Sequence, residues 1–330
     1  MGPDTAHRSQ IEGAIGMVVR LVDDMNQRRR DAVLSGGVLA VAGRAVRVEE
    51  RLSRQCLPGQ GRHGDLDERN AGAVFQAASQ FNALEMVGPG VSPREGIAFY
   101  CNDPTQGPKC ALACPGGTVF RNYLVNGAGQ GDTQIDLLED VGRVLGNTDE
   151  CYWTMQNGYA MPSSSSSIKN LARALTPRLV ADAEAALRVG VHWETQARPP
   201  HTHRVCQVYA SALPVAYGRA ARSAEWEPFA RLVLRAAYEA TLAVGALKAR
   251  DAGRRQAVYL TSLGGGAFGN RDAWITEAVR GALHKFRDAP LDVYKVHYGT
   301  RVAAAWKDVG SEYPEPTTER RGSEQLCRPS

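Results

Sequence analysis

The feature that most limits what this chain can fold into is an alternation in its second half, where short apolar runs trade places with long amphipathic ones. Apolar runs cover residues 205–210, 257–263 and 291–298, and helical periodicity covers 225–248 and 272–286. Strand–helix alternation at this spacing builds βαβ units, hence a mostly parallel sheet clad in helices. The runs VCQVYAS, AVYLTSL and LDVYKVHYG are almost continuously apolar, as strands buried on both faces must be. Residues 74–79 read as another such strand, which predicts an α/β fold of three layers, α/β/α, with a mixed, mostly parallel sheet. Upstream, apolar positions 11, 14, 15, 18, 21, 22 and 25 share one helical stripe, and 38–48 reads as a strand followed by a polar, Gly-rich loop over 56–70. The serine run 163–167 reads as a loop ending in an N-cap, ahead of one helix marked by Ile168, Leu171, Leu175 and Leu179. The expected organisation is a helical N-terminal extension over 1–70 packed on a core of 71–307, then a mobile tail over 308–330.

Composition narrows the function classes. With 43% hydrophobic and 22% charged residues over 330 positions, the chain has the balance of a globular protein with a sizeable core. A net charge of +4, from 39 basic and 35 acidic residues, gives too weak a field to imply nucleic-acid binding. Seven cysteines without CxxC pairs argue against a disulfide framework or structural zinc. Cys110 and Cys114, the closest pair, read as reduced thiols beside a turn, and no metal is expected. The opening MGPDTAHRSQ has no basic and then apolar leader pattern, and no apolar run reaches roughly 18 residues, so the expectation is a cytoplasmic protein with no membrane partner.

The strongest chemical signal is YLTSLGGGAFGNRDAWI, residues 259–275, where a buried strand meets a glycine-rich turn and then a helix. Glycines let backbone N–H groups close around an anion, and the helix adds its positive end, so Gly264, Gly265, Gly266, Ala267, Phe268, Gly269 and Asn270 form a candidate phosphate cradle. The plain alternative is a tight turn. Gly264, Gly266 and Gly269 also satisfy GxGxxG, which raises a nicotinamide-dependent oxidoreductase. That fingerprint expects an acidic residue about 20 positions on, at the end of the next strand. Here that strand ends in Val296, His297, Tyr298 and Gly299, with Asp292 at its start. Only about 60 residues follow the turn, too few for the rest of a dinucleotide domain.

A second constellation lies in VFQAASQFNALEM, 74–86, and GIAFYCNDPTQGPKCALA, 96–113. The first strand ends in Ser79, Gln80, Phe81, Asn82 and Glu85, delivering amides and a carboxylate to the carboxyl edge of the sheet, where open α/β folds bind ligands. Gln106 and Gly107 stand on the neighbouring loop. For Asn82 and Gln106 the alternative is that their side chains satisfy loop backbone.

These residues resemble a family. VFQAASQFN looks like the strand and Asn-bearing turn that open the ligand cleft of macrodomains, and YLTSLGGGAFGN looks like their diphosphate-gripping loop. SQFNALE, DPTQGP, FRNY, GQGDTQID, NGY, SALPVAYG and LGGGAFGN together resemble the MavL-type group of arginine-specific ADP-ribosyl hydrolases, related to the poly(ADP-ribose) glycohydrolase branch. The glycohydrolase signature of three glycines followed by Gln-Glu-Glu does not follow the first strand, which continues EMVGPGVSPREG; the nearest analogue is Gln134, Ile135, Asp136. The resemblance implies a macrodomain that hydrolyses the N-glycosidic bond of mono-ADP-ribosylated side chains, arginine foremost, without a cofactor. Its partners would be ADP-ribose and mono-ADP-ribosylated proteins, ubiquitin among the candidates through the resemblance alone.

In that frame the glycine turn holds the diphosphate, Phe268 lies against the ribose, and Ser79–Asn82 with the loop 103–107 surrounds the distal ribose. Cleavage passes through an oxocarbenium-like state that a nearby carboxylate can stabilise, and the candidates are Glu85, Asp103, Asp132 and Asp136. Each has an alternative as a loop cap or solvated charge. Asp272 reads as a first-turn helix charge, and Phe120, Tyr123, Tyr152 and Tyr159 as core or as adenine-stacking aromatics. A reader that binds ADP-ribose without cleaving it is the standing alternative.

Overall fold

The computed structural model describes residues 47–53, 64–217 and 223–298, with four further positions at 306, 309, 312 and 313. The helix expected over 11–25, residues 38–46 of the strand expected over 38–48, residues 56–63 of the expected loop and most of the expected tail lie outside the described residues. Within them the strands are β1 (Arg47–Ser53), β2 (Val74–Ala78), β3 (Trp153–Gln156), β4 (Tyr159–Pro162), β5 (Gly190–Gln196), β6 (Arg204–Ala210), β7 (Gln256–Leu260) and β8 (Leu291–Tyr298). The helices are α1 (Gln106–Ala113), α2 (Pro115–Val119), α3 (Glu139–Leu145), α4 (Ser165–Ala174), α5 (Pro177–Ala186), α6 (Ser223–Ala252) and α7 (Asp272–Lys285).

Six strands form one sheet in the order β1-β8-β7-β2-β6-β5, and β3 and β4 form a separate antiparallel hairpin. All neighbours in the large sheet are parallel except β5, which runs antiparallel to β6 at the edge. This is the expected α/β/α arrangement: α6 and α7 cover one face, while α1 packs on β2 and α2 on β5 across the other. Burial explains the apolar runs, because Val205, Cys206, Val208, Tyr209, Val258, Leu260, Leu291 and Val293 are all in the core. The connections β6–α6–β7 and β7–α7–β8 supply the parallel crossovers.

Two expectations need correction. The helix expected from the serine run is two helices, with Ser164 capping α4 through the Ser167 N–H and Thr176 capping α5 through the Leu179 N–H. Pro177 ends the first by lacking a donor and opens the second at a position where none is needed. The apolar run 257–263 also stops early as a strand. β7 ends at Leu260, so Thr261, Ser262 and Leu263 belong to the turn that follows.

The long helix α6 organises the interior. Trp226 and Phe229 project from it into a cluster with Trp153 of β3, ring centroids 4.9 Å apart for Trp153–Phe229 and 6.4 Å for Trp226–Phe229, with all three side chains buried. Ser165 and Lys169 of α4 both reach Glu225 at its start. Cys110 and Cys114 are free, buried thiols at α1 and its C-terminal cap. Among the described helices none is long and apolar enough to cross a membrane.

Phe229→Ala should destabilise the fold by about 3–5 kcal/mol, because it opens a cavity between α6 and the β3–β4 hairpin. Urea unfolding measures the loss; a change below about 1 kcal/mol would mean the cluster does not couple them.

Candidate functional site

A cleft of about 770 Å³ opens at the carboxyl ends of β2 and β7. It exists because these neighbours part company. Their parallel register covers only Val74–Val258 and Phe75–Tyr259. Beyond it, Ser79 N–H bonds the carbonyl of Ala210 on the β6 side, and the β7 side of β2 is taken over by Gln106. The Gln106 amide accepts from Ala78 N–H at 2.8 Å and donates to the Gln76 carbonyl at 2.9 Å, standing where a strand residue would. Gln76 in turn donates to Thr241 on α6 and accepts from Thr261 N–H. Gly107 makes the approach possible, since a Cβ there would sit 2.0 Å from the Ala78 carbonyl oxygen.

One wall is the glycine turn. Gly264 has φ 69°, and a Cβ on it would meet Ala212 and Asn270 at 2.5 and 2.6 Å. Asn270 closes the turn by donating to the carbonyls of Leu213 and Gly264, and Ala216 N–H bonds the Phe268 carbonyl, so the turn is locked to the loop after β6. Gly265, Gly269 and Asn270 spend their N–H groups inside the turn. The N–H groups of Gly266, Ala267 and Phe268 have no partner among the described residues. A Cβ on Gly266 would touch nothing within 4 Å, which places that residue against open space. Three successive N–H groups left unpaired in a turn are the raw material of an anion-binding nest. Phe268, Tyr159 and Tyr217 form an aromatic cluster on the cleft, with centroids 5.4–5.5 Å apart.

The opposite wall carries Ser79, Gln80, Glu85, Asp103, Gln106 and Gly107. Asp103 anchors one carboxylate oxygen on the N–H and hydroxyl of Thr105, at 2.8 and 2.6 Å. Its other oxygen has no partner among the described residues. Glu85 lies deeper, almost wholly buried, with Arg121 3.4 Å away and equally buried. Arg121 also donates to the Ala83 carbonyl and lies over the Tyr209 ring at 3.5 Å, while the Tyr100 hydroxyl accepts from Glu85 N–H. Burial lifts the Glu85 carboxyl to about 7 against the opposing pull of the Arg121 charge. The turn between them is tight: Ala83 sits at φ 58°, a left-handed conformation unusual for alanine.

Of the residues singled out in the sequence, Ser79, Gln80, Glu85, Asp103, Gln106, Gly107 and Gly264 through Phe268 line the cleft, as does Asp272 in the first turn of α7. Phe81, Asn82, Gly269 and Asn270 stand behind it. Asn82 accepts from Leu84 N–H and donates to Gln134, the backbone-holding alternative considered for it. Asp132 and Asp136 are outside the cleft: Asp132 is exposed and paired with Arg94 at 2.5 Å, and Asp136 accepts from Leu138 N–H ahead of α3. Of the four aromatics considered for stacking, only Tyr159 lines the cleft. Tyr217 and the Arg121 partner of Glu85 were not picked out, although both stand in quoted motifs, SALPVAYG and FRNY.

No family model matches the chain, and no curated protein matches it. Among solved structures it is similar to a poly(ADP-ribose) glycohydrolase from Thermomonospora curvata, at 14% identity over 94% of this chain and 99% of that one, with a TM-score of 0.37. A likeness that distant leaves function to be read from the cleft itself.

The folded state holds the Glu85 proton more tightly than the unfolded chain does. Its contribution is therefore fully present below about pH 4.5 and is lost as pH rises through about 7. Relative to Glu85→Gln, the wild type should lose up to about 3 kcal/mol of stability between pH 5 and pH 8 in urea unfolding. A pH-independent difference between the two proteins would remove the buried, proton-holding carboxyl.

Proposed function

We propose that this chain is an ADP-ribosyl hydrolase that releases mono-ADP-ribose from modified protein side chains, arginine foremost. The observation that carries this reading is one cleft with unpaired backbone N–H groups on one wall and a half-free carboxylate on the other. A diphosphate suits the donors of Gly266, Ala267 and Phe268, because a row of N–H groups neutralises its charge without the desolvation cost of a buried lysine. The aromatic cluster offers a flat apolar surface to a ribose or base. The distal ribose then falls toward Asp103 and Gln106.

Hydrolysis breaks the bond between C1″ and a guanidinium nitrogen, adds water at C1″ and returns a proton to the departing side chain. Positive charge develops on the ribose as the bond stretches, and Asp103 is the carboxylate best placed to stabilise it or to orient the water. Thr105 fixes its direction. Glu85 suits a supporting role, its carboxylate holding Arg121 beneath the cleft floor. The arginine preference comes from the motif resemblance, and the carboxylate-bearing wall suits a cationic leaving group.

Asp103→Ala should keep ADP-ribose affinity within several-fold and slow its release from an arginine-ADP-ribosylated peptide by about 10²-fold or more, since the carboxylate acts mainly in the transition state. Gly266→Glu should abolish ADP-ribose binding in calorimetry while the fold persists, because the open space above Gly266 would receive a negative side chain. A wild type that binds ADP-ribose but releases it from no linkage would be a reader. Unchanged affinity in Gly266→Glu would remove the glycine turn from the site.

A further inference from the structure

The amino ends of β2 and β6 lie at the opposite edge of the sheet from the glycine turn, roughly 15 Å away at about 3.3 Å per strand residue, where Asp65, Asp67, Arg69 and Asn70 line the far end of the cleft. There the loop joining β5 to β6, residues 197–203, meets the turn that precedes β2. The loop is held in place by Ala197 N–H on the His203 carbonyl and Arg198 N–H on the Ala113 carbonyl. It presents His201 and His203, and Glu68 faces them: one ligand atom from each of the three lies within 4.8 Å of the others.

His203 is prepared as a ligand. One ring nitrogen, Nε2, lies 2.7 Å from the backbone carbonyl of Asp65. A carbonyl only accepts, so Nε2 carries a proton, and in the neutral ring Nδ1 presents a lone pair. Nδ1 is buried and has no partner among the described residues. A buried acceptor left unsatisfied is destabilising, so the orphaned nitrogen itself calls for an occupant. An imidazole whose second nitrogen is fixed on a carbonyl is also the arrangement that orients metal-ligating histidines. His201 stands edge-on to it, ring centroids 5.9 Å apart.

We propose that Glu68, His201 and His203 form a zinc site that pins the β5–β6 loop to the turn before β2. Two imidazoles and one carboxylate suit a borderline ion such as Zn²⁺ better than Mg²⁺ or Ca²⁺, which prefer all-oxygen shells. A tetrahedral ion needs its ligand atoms roughly 3.3 Å apart. Glu68 is exposed and makes no side-chain bond among the described residues, so its carboxylate is free to close that gap. Water would fill the fourth position. Asp65, Asp67, Arg69 and Asn70 line that end of the cleft, so the metal would fasten the turn and loop that border it, away from the glycine turn. Cysteine spacing gave no hint of it, because the ligands are histidines in a loop and a glutamate far away in sequence.

The test is calorimetric titration of Zn²⁺, with Mg²⁺ as control, into chelator-stripped full-length protein, alongside thermal melting. The wild type should bind one tight Zn²⁺ per chain and melt higher when loaded, and Co²⁺ should give visible absorption bands. His201→Ala and Glu68→Ala, which leave the His203–Asp65 bond alone, should stay folded by circular dichroism and weaken that Zn²⁺ by about tenfold or more. Both variants keep every cysteine, so zinc held by thiols would persist in them. Equal Zn²⁺ binding in wild type and variants, or no binding by the wild type at micromolar Zn²⁺, would overturn the site.

Discussion

The cleft depends on a gap between two strands that begin as neighbours. The amino end of β2 pairs with Val258 and Tyr259 near the end of β7 and the two then separate, and the unpaired β7 side of β2 would be a row of buried polar groups without partners. The Gln106 amide satisfies that row, reproducing a strand residue's donor and acceptor from a helix start. Gln76, Thr241 and Thr261 continue the network to α6 and to the root of the glycine turn. The separation therefore costs few hydrogen bonds, and it leaves the β7 turn free to face the β2 turn across open space. Gly107 is required on the same account, as no side chain fits against the Ala78 carbonyl.

What the two walls contribute differs in kind. The glycine turn offers backbone donors locked by Asn270 and by the loop after β6, so they are oriented before any ligand arrives. The β2 side offers carboxylates in two environments. Asp103 sits at the cleft with one oxygen committed, whereas Glu85 is buried against Arg121 and pushed to about 7. One chain thus lines the same cleft with a partly exposed carboxylate and a desolvated one. The ion pair below holds the Ala83 turn, because Arg121 bonds its carbonyl.

Much of this was legible in the sequence because both-face burial writes itself as continuous apolar runs, and β6, β7 and β8 followed. The glycine turn was legible too, since three glycines between a buried strand and an amphipathic helix have few other uses. Three kinds of feature were hidden. The edge strand β5, GVHWETQ, mixes polar and apolar residues because it has one neighbour and a bulge. The β3–β4 hairpin turns on Asn157–Gly158, both at positive φ, a short-range signal carried by two residues between strands of only four residues each. The third kind is long-range pairing: Arg94 taking Asp132 out to the surface, and Arg121 reaching Glu85, join residues that no local pattern connects. The same limit explains why Gln106 could be read either as a ligand contact or as a backbone mimic. It lines the cleft and fills the strand gap at once.

The central claim is that the free N–H groups of the glycine turn grip a diphosphate while Asp103 and Gln106 face the sugar beyond it. Amide chemical shifts of isotope-labelled protein titrated with ADP-ribose test this most directly. The account predicts that the large shifts fall on Gly266, Ala267 and Phe268 and on residues 103–107, with NAD producing weaker effects at the same positions. Shifts confined to other surfaces, or none at millimolar ADP-ribose, would contradict it.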